Sequence, residues 1–475
     1  MRNVRAMQDS QLKGKTVIVL GLGETGISMV QWLSRQGASV RAADSRRDPP
    51  GKGALAANPA VVLHLGGFPR HAFDGVDLVA ISPGLSLQDP AFADFLKRLA
   101  SAGTPLVGDV ELFARALAAR LPRPRIAAIT GTNGKTTVTA LTGAMCRAAG
   151  QDCEVAGNIG PAVLDALARR DASGSAAAMW VLELSSFQLE TTATLAADAA
   201  AVLNVTEDHL DRHGSMENYA AAKQRIFAGS GAQILNRDDA ASLAMAIAGR
   251  PVITFGVDAP RRDTDFGLIR DGSRCWLAQG PALLFDTREL PIAGLHNAAN
   301  ALAALALCRS LDLPLEPLLQ ALREFRGLPH RVELVSTRNE VRYYDDSKGT
   351  NVGATVAALD GLGSGGGKVV LIAGGEGKGQ DFRPLAPAVA RHARAAVLIG
   401  RDAAVIEHSL AATAVPVSHA RDMDDAVTQA ASLAHAGDAV LLSPACASFD
   451  MFRNYAHRGE AFRAVVEGLG HAGAR

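Results

Sequence analysis

The chain has 475 residues, which at roughly 150 per domain predicts about three domains. Its 48 Lys+Arg balance 48 Asp+Glu, which excludes wholesale electrostatic binding to nucleic acid or to an anionic membrane. Apolar residues reach 48%, yet no uninterrupted apolar run attains the roughly 18 residues that cross a bilayer, so no membrane span is expected.

Met1 to Ser10 is polar with two arginines and no apolar core, so it reads as a frayed start and not a secretory signal, and a cytoplasmic location is expected. Five cysteines, at 146, 153, 275, 308 and 446, form no C-x-x-C pair. Neither a disulfide framework nor a structural zinc site is expected. Only nine of the 48 cationic residues are lysines, so a lysine retained here is a candidate for needing its ammonium specifically.

Apolar strand-like runs alternate with Ala/Leu-rich helical segments throughout, the rhythm of parallel sheets, so the fold class is α/β. Two Pro/Arg-rich interruptions, Arg120 to Arg125 and Arg326 to Arg331, read as linkers and divide the chain into 1–115, 116–327 and 328–475. The tract Gly361 to Lys368 reads as a loop, because so many glycines oppose a helix.

In the first domain, the strand-like Thr16 to Leu20 precedes Gly21-Leu-Gly-Glu-Thr-Gly26 and a helix from about Ile27 to Gln36. Such a turn lets backbone N–H groups approach a diphosphate, and Asp44, ending the next strand, stands where a ribose hydroxyl could be bound. A nicotinamide dinucleotide, another nucleotide diphosphate and a tight turn without ligand all remain open. Ser82-Pro-Gly84, after the strand Leu78 to Ile81, either lines the same crevice or simply turns the chain.

In the second domain, Ile126 to Ile129 leads into Thr130-Gly-Thr-Asn-Gly-Lys-Thr-Thr137 and a helix. This is a phosphate loop without the first glycine of the general pattern. Backbone N–H groups face the phosphates, Lys135 neutralises them and the Thr136 hydroxyl reaches Mg²⁺. Glu183, inside the apolar run Trp180 to Leu184, is a costly carboxylate unless paired and is a candidate Mg²⁺ ligand. His209 and His213 have i, i+4 spacing but lack the H-E-x-x-H order of a zinc pair, so His209 alone is read as a phosphate-site residue or a solvated histidine. Lys223, in the helical stretch Tyr219 to Phe227, reads on its own as a surface lysine.

In the third domain, Asp346, Lys348, Thr350 and Asn351 follow a short strand directly. Further strands, Lys368 to Ala373, Ala395 to Gly400 and Asp438 to Ser443, end in polar or Gly-rich loops, where open parallel sheets bind ligands. Cys446 has no histidine base beside it in sequence and reads as a small buried residue.

Taken in order, the Gly-rich loop, Thr130 to Thr136, Leu182-Glu-Leu-Ser-Ser-Phe-Gln-Leu-Glu190, Asn204-Val-Thr-Glu-Asp-His-Leu-Asp211 and Asp345-Asp-Ser-Lys-Gly-Thr-Asn351 resemble the motif set of the Mur ligase family. The likeness runs from Gly14 to about Phe462, and Phe187 to Glu190 with Ser443 to Asp450 points to a D-glutamate-adding member. The resemblance implies a Rossmann-like UDP-binding domain, a central ATP-binding domain and a Rossmann-like amino-acid-binding domain. It implies that Gly23, Glu24, Thr25, Asp44, Ser45, Arg46, Gly84, Asn158, Ser185 and Gln188 face the UDP-linked substrate. Gly131, Thr132, Asn133, Gly134, Lys135, Thr136, Thr137, Asn300, Arg331 and Asp346 match ATP contacts. Thr136, Glu183, His209 and Lys223, the last as a CO₂-derived carbamate, match the residues around two Mg²⁺ ions, with Lys135, Glu183, His209 and Lys223 catalytic. Lys348, Thr350, Lys378, Ser448 and Tyr455 match the D-glutamate pocket, Tyr455 standing where the family has phenylalanine.

The activity implied is ATP-dependent addition of D-glutamate to UDP-N-acetylmuramoyl-L-alanine through an acyl phosphate, by a monomer whose three domains close on their ligands. Neutralising an ordinary lysine at pH 7 costs about 4.6 kcal/mol, so a carbamate on Lys223 needs a site that disfavours its ammonium. Three rivals stand beside this reading. A folylpolyglutamate synthetase-type ligase gives no reason for the N-terminal glycine loop. A nicotinamide-dependent dehydrogenase gives none for the phosphate loop. A nucleotide-responsive binding module would bind ATP without turnover.

Overall fold

Runs such as Thr16–Leu20 and Val369–Gly374 show no polar alternation, as expected of strands covered on both faces of a parallel sheet. The computed structural model describes residues 12–469 apart from 56–57, 293 and 364–366, so the polar start Met1 to Ser10 lies outside the described residues.

The first sheet contains β1 (Thr16–Leu20), β2 (Ser39–Asp44), β3 (Val62–Leu65), β4 (Leu78–Ile81) and β5 (Leu106–Val107), all parallel, in the order β3-β2-β1-β4-β5. The order reverses between β1 and β4, which opens a crevice at their carboxyl ends. The helix after β1 is Glu24–Arg35, three residues earlier than expected, because the extended Gly23 already ends the turn. Gly26 therefore lies inside the helix, where a Cβ would stand 1.8 Å from the Gly21 carbonyl oxygen. The second loop adjoins the first, since a Cβ on Gly21 would meet the Ser82 Cβ at 3.0 Å.

The second sheet contains β6 (Arg125–Thr130), β7 (Cys153–Gly157), β8 (Met179–Glu183), β9 (Ala199–Val202), β10 (Ala232–Asn236) and β11 (Val252–Phe255), parallel in the order β11-β10-β9-β6-β8-β7. A small antiparallel sheet, β12 (Phe266–Asp271), β13 (Arg274–Gln279) and β14 (Ala282–Asp286), interrupts the alternating rhythm. The last sheet is β15 (Glu333–Arg338), β16 (Val341–Asp345), β17 (Val369–Gly374), β18 (Ala393–Ile399), β19 (Val417–His419) and β20 (Ala439–Leu442), in the order β15-β16-β20-β17-β18-β19 with only β15 antiparallel.

The boundary drawn at 115/116 falls inside the helix Asp109–Ala118, whose Phe113 ring packs edge-on against Trp180 of β8 at 4.8 Å. That helix belongs to an apolar core continuous between the first two sheets. The boundary at 327/328 falls in the irregular stretch 325–332. Gly361 and Gly363 close the helix Val352–Gly363 and do not open a loop, so the break comes later than expected. All five cysteines are free thiols, and Cys446 is buried.

Candidate active site

The phosphate loop joins β6 to the helix Lys135–Ala148. Gly134 sits at φ 82°, and a Cβ there would lie 2.5 Å from Asn300 Oδ1, so both backbone angle and space demand glycine. Lys135 Nζ donates to the carbonyls of Gly131 at 2.8 Å and Thr132 at 2.7 Å, folded over its own loop. Burial holds its pKa below the ordinary lysine range, against the pull of Glu183. Lys223, which alone looks like a surface residue, is 1% exposed. Its Nζ donates to the same Gly131 carbonyl at 2.9 Å and lies 4.2 Å from the Tyr219 ring centre. Burial, reinforced by Lys135, pushes its pKa well down, and Asp208 opposes this only in part.

Glu183 ends β8, beside Ile129 of β6, and is 1% exposed. Asn158 Nδ2 donates to its Oε1 at 2.7 Å, whereas Oε2 is buried with no partner. An unpartnered buried carboxylate oxygen beside a phosphate loop is unfavourable alone and fits a cation. Asn158, expected to face the UDP-linked substrate, is engaged with Glu183 through its side chain and also through its N–H to the Glu183 carbonyl at 2.8 Å. His209 stands in the left-handed region at φ 55°, 3.6 Å from Asp208, with its pKa lowered by burial. His213 points elsewhere, 3.0 Å from Ser186 Oγ and 3.4 Å from Glu190 Oε1, so the i, i+4 histidines are not a metal pair.

A cavity of about 290 Å³ opens beside the loop. Asn133, Gly134, Thr137 and Asn300 wall it from the central domain, and Arg331 and Asp346 from the third. Asn297 also lines it; the reading of His296 to Asn300 missed it, although one helical turn from Asn300 places it on the same face. Arg331 Nη2 contacts Thr136 Oγ1, tying the third domain to the helix start. Gly131, Thr132 and Lys135 form the loop behind this wall. Burial raises the Asp346 pKa to about 7, although Ser443 Oγ donates to it at 2.7 Å. Among the described residues one group of three metal-ligand types gathers, His330, Glu333 and Asp345. His330 Nδ1 lies 2.6 Å from Asp345 Oδ2 and Glu333 Oε1 lies 2.7 Å from Arg463, so these groups are engaged with one another and with Arg463 next to Arg331.

In the third domain, Lys348 Nζ lies over the Tyr455 ring at 3.7 Å, and burial lowers its pKa to about 8. Thr350 and Lys378 line a cleft with Asp208 and His209. Asn351 Nδ2 donates to Asn133 Oδ1 at 3.1 Å and Asp208 Oδ2 at 3.3 Å, a second tie between the domains. Ser448 is buried in the loop after β20. Buried Arg458, not foreseen, fastens that loop at the Cys446 carbonyl, 3.1 Å away, to Ser347 next to Lys348.

At the first sheet, Gly23, Glu24 and Thr25 form the helix start, and Ser45, Arg46 and Gly84 are exposed around the crevice. Asp44, expected where a ribose hydroxyl could be bound, makes its protein contacts with the Gly-rich turn and with Arg46. Burial opposes its ionisation, but Arg46 and the N–H groups of Leu22 and Arg46 outweigh it and bring the pKa to about 2. Its oxygens hold Leu22 N at 2.7 Å, Arg46 Nε at 2.9 Å and Arg46 Nη2 at 2.8 Å, so it shapes the loop and aims Arg46. Ser185 and Gln188 form a capping box on the helix Ser186–Glu190, and Gln188 Nε2 turns to buried Asp109 at 3.2 Å. Their side chains are thus engaged within the protein.

Three domain families match in this order: Mur ligase MurD-like N-terminal domain at residues 15–108, Mur ligase middle domain at 129–308, and Mur ligase glutamate ligase domain at 330–446. A relative from Nitrosospira multiformis, named UDP-N-acetylmuramoylalanine--D-glutamate ligase, is 59% identical, with 96% of each chain covered. The chain belongs to the Mur ligase family. A Burkholderia cenocepacia relative of the same name is 51% identical over 95% of this chain and 97% of its own. Among solved structures, MurF from Acinetobacter baumannii has a TM-score of 0.61 at 16% identity, covering 97% of this chain and 93% of its own. UDP-N-acetylmuramate-alanine ligase MurC from Thermotoga maritima has a TM-score of 0.58 at 19% identity, covering 96% and 99%. These likenesses establish the fold. In this Mur ligase the middle-domain match begins at Ile129, one residue before the phosphate loop, and the third begins at His330, next to Arg331.

Proposed function

We propose that this Mur ligase joins the amine of D-glutamate to the L-alanyl carboxylate of UDP-N-acetylmuramoyl-L-alanine, with ATP converted to ADP and phosphate, in peptidoglycan precursor synthesis. The carrying observation is near-full-length identity of 59% to a relative named for that reaction. The geometry supports it, because the phosphate loop, the orphan Glu183 oxygen and the Lys348–Tyr455 pair lie on domains tied together by Arg331 and Asn351.

A carboxylate is a poor acyl donor. A carboxylate oxygen takes the γ-phosphoryl group of ATP and ADP leaves; the amine nitrogen then attacks the acyl carbon, the carbon–oxygen bond to phosphate breaks, and the ammonium proton is lost as the amide forms. Repulsion between two anions opposes the first step, so the residues' work is electrostatic. Lys135 and Arg331 bring positive charge to the phosphates, and the Asn300 side of the cavity holds the nucleotide. Glu183, Thr136 and His209 would hold Mg²⁺, which when bound supplies further neutralisation of phosphate charge. Lys348 receives a D-glutamate carboxylate, with Thr350, Lys378 and Ser448 completing the pocket. Gly23, Glu24, Thr25, Ser45, Arg46 and Gly84 bound the UDP crevice.

Lys223 is the candidate carbamate. Its depressed pKa supplies the neutral amine that adds CO₂, releasing a proton and leaving an anion suited to a site with two Mg²⁺ ions. The enzyme acts as a cytoplasmic monomer. Phosphate release from ATP with UDP-N-acetylmuramoyl-L-alanine is the test, offering D-glutamate, L-glutamate and other D-amino acids singly. Release that requires D-glutamate, with a product heavier by one glutamyl residue, is the expected result; release with folates and L-glutamate only would favour the folylpolyglutamate-type reading.

A further inference from the structure

The loop Ser82 to Gly84 belongs to the first sheet and the segment 209–213 to the central domain, yet one side chain joins them. Arg212, with its side chain 9% exposed, donates from Nη1 to the Pro83 carbonyl at 2.7 Å and from Nη2 to Glu190 Oε2 at 2.6 Å. Its guanidinium lies 4.1 Å from the Phe187 ring centre, and the Phe187 and His209 rings pack edge-to-face with centres 4.8 Å apart. Glu190 Oε1 turns to His213, which in turn lies against Ser186 Oγ. The guanidinium is therefore fixed by a carbonyl, a carboxylate and an aromatic face at once. A planar fork presents its donors and its flat face at fixed separations that match these three partners, whereas an ammonium presents its donors from a single point.

The placement of these partners gives the link a direction. Pro83 precedes Gly84 at the UDP crevice. Glu190 and Phe187 lie on the short helix that follows Glu183, and Arg212 itself is three residues past His209. A shift of the 82–84 loop thus acts through Arg212 on the segment that carries His209 and on the helix that follows the Glu183 strand. We propose that Arg212 is a positioning residue that couples seating of the UDP-linked substrate on the 82–84 loop to placement of His209 beside the phosphate loop. This rests on the UDP-substrate reading under Proposed function.

Steady-state kinetics of the full chain test it, comparing wild type with Arg212→Lys, Arg212→Met, Glu190→Gln and the Arg212→Met/Glu190→Gln double variant. Expected for Arg212→Met is a rise of about tenfold in KM for UDP-N-acetylmuramoyl-L-alanine and a fall of about tenfold in kcat, with KM for D-glutamate and Kd for ADP within about twofold of wild type. Arg212→Lys restores neither constant, and the double variant is no worse than Arg212→Met. A lower Tm with KM values for all three substrates unchanged, or changed in equal proportion, would overturn the coupling, as would multiplicative losses in the double variant. If Arg212→Met does not fold, Arg212→Lys, which keeps charge and length, decides by the same KM split. Wild-type chain without D-glutamate-dependent turnover would instead overturn the parent reading and this inference with it.

Discussion

Lys135 and Lys223 donate to one carbonyl, that of Gly131, at 2.8 and 2.9 Å. Two ammonium groups this close repel, and burial penalises each charge further. Lys223 is the more deeply buried, and burial together with the charge of Lys135 pushes its pKa well down, the direction that favours the amine a carbamate needs. Intact mass of native protein in bicarbonate buffer is expected to show one added CO₂ that disappears in Lys223→Met. That variant is expected to lose activity by about a hundredfold or more while still binding ADP. A fully active Lys223→Met, with no added mass in the wild type, would remove the carbamate.

Glu183 places a carboxylate where burial leaves it half satisfied. One oxygen is held by Asn158, and the other is buried without a partner. Glu183→Gln keeps the shape and removes the charge. Its Tm without Mg²⁺ is expected to rise, while its kcat falls by about two to three orders of magnitude. Differential scanning calorimetry beside a phosphate-release assay checks both; a lower Tm without Mg²⁺ would show that the carboxylate is structurally satisfied.

What the sequence made legible was local. The Gly-rich turns, the phosphate loop and Glu183 at a strand end each declare themselves within ten residues, because backbone angle and strand burial are local demands. Partner choice is not local. Asn158, Gln188 and His213 carry groups that look free for ligands, but tertiary packing brings Glu183, Asp109 and Ser186 to them. Lys223 was invisible as a buried residue because its helix, Met216–Gln224, offers mainly alanines around it and no strong apolar stripe. Arg331 and Asn300, and the ATP role of Asp346, came only through the resemblance, since no spacing along the chain relates them to the distant phosphate loop.

Tyr455 tests what the proposed D-glutamate pocket needs from this ring. Lys348 Nζ lies 3.7 Å from its centre, so the face of the ring is what the ammonium meets. Tyr455→Phe is expected to leave KM for D-glutamate within about twofold, whereas Tyr455→Ala raises it by about five- to thirtyfold, the loss of a cation–π contact of roughly 1–2 kcal/mol. Equal losses in both variants would assign the role to the hydroxyl.

Asp346 gives a stability slope of known sign. Its pKa is about 7 in the fold, above the unfolded value of about 3.9, so the native state binds the extra proton between these limits. The stabilisation is full below about pH 4 and is lost as pH rises through 7, a difference of about 4 kcal/mol. Asp346→Asn is expected to remove that slope, so that its stability relative to wild type is higher at pH 8 than at pH 4.5. Urea unfolding of the ligand-free protein at both pH values measures this. Parallel pH dependences for the two proteins would show that Asp346 remains ionised throughout.

Lys348 moves the other way. Burial lowers its pKa to about 8, so in the proposed pocket an ammonium faces D-glutamate below pH 8 and a neutral amine above it. Free enzyme therefore loses its point charge over the range where the amino acid's two carboxylates still need one. KM for D-glutamate is expected to rise by up to about tenfold per pH unit between pH 8 and the ordinary lysine pKa near 10.4, while KM for ATP stays flat. Lys348→Arg keeps the charge throughout, so its KM for D-glutamate, higher than wild type at pH 7 because the longer planar side chain does not place its charge where the ammonium stood, is expected to be independent of pH. A wild-type profile that stays flat to pH 9.5 would mean that a group other than Lys348 receives the carboxylate.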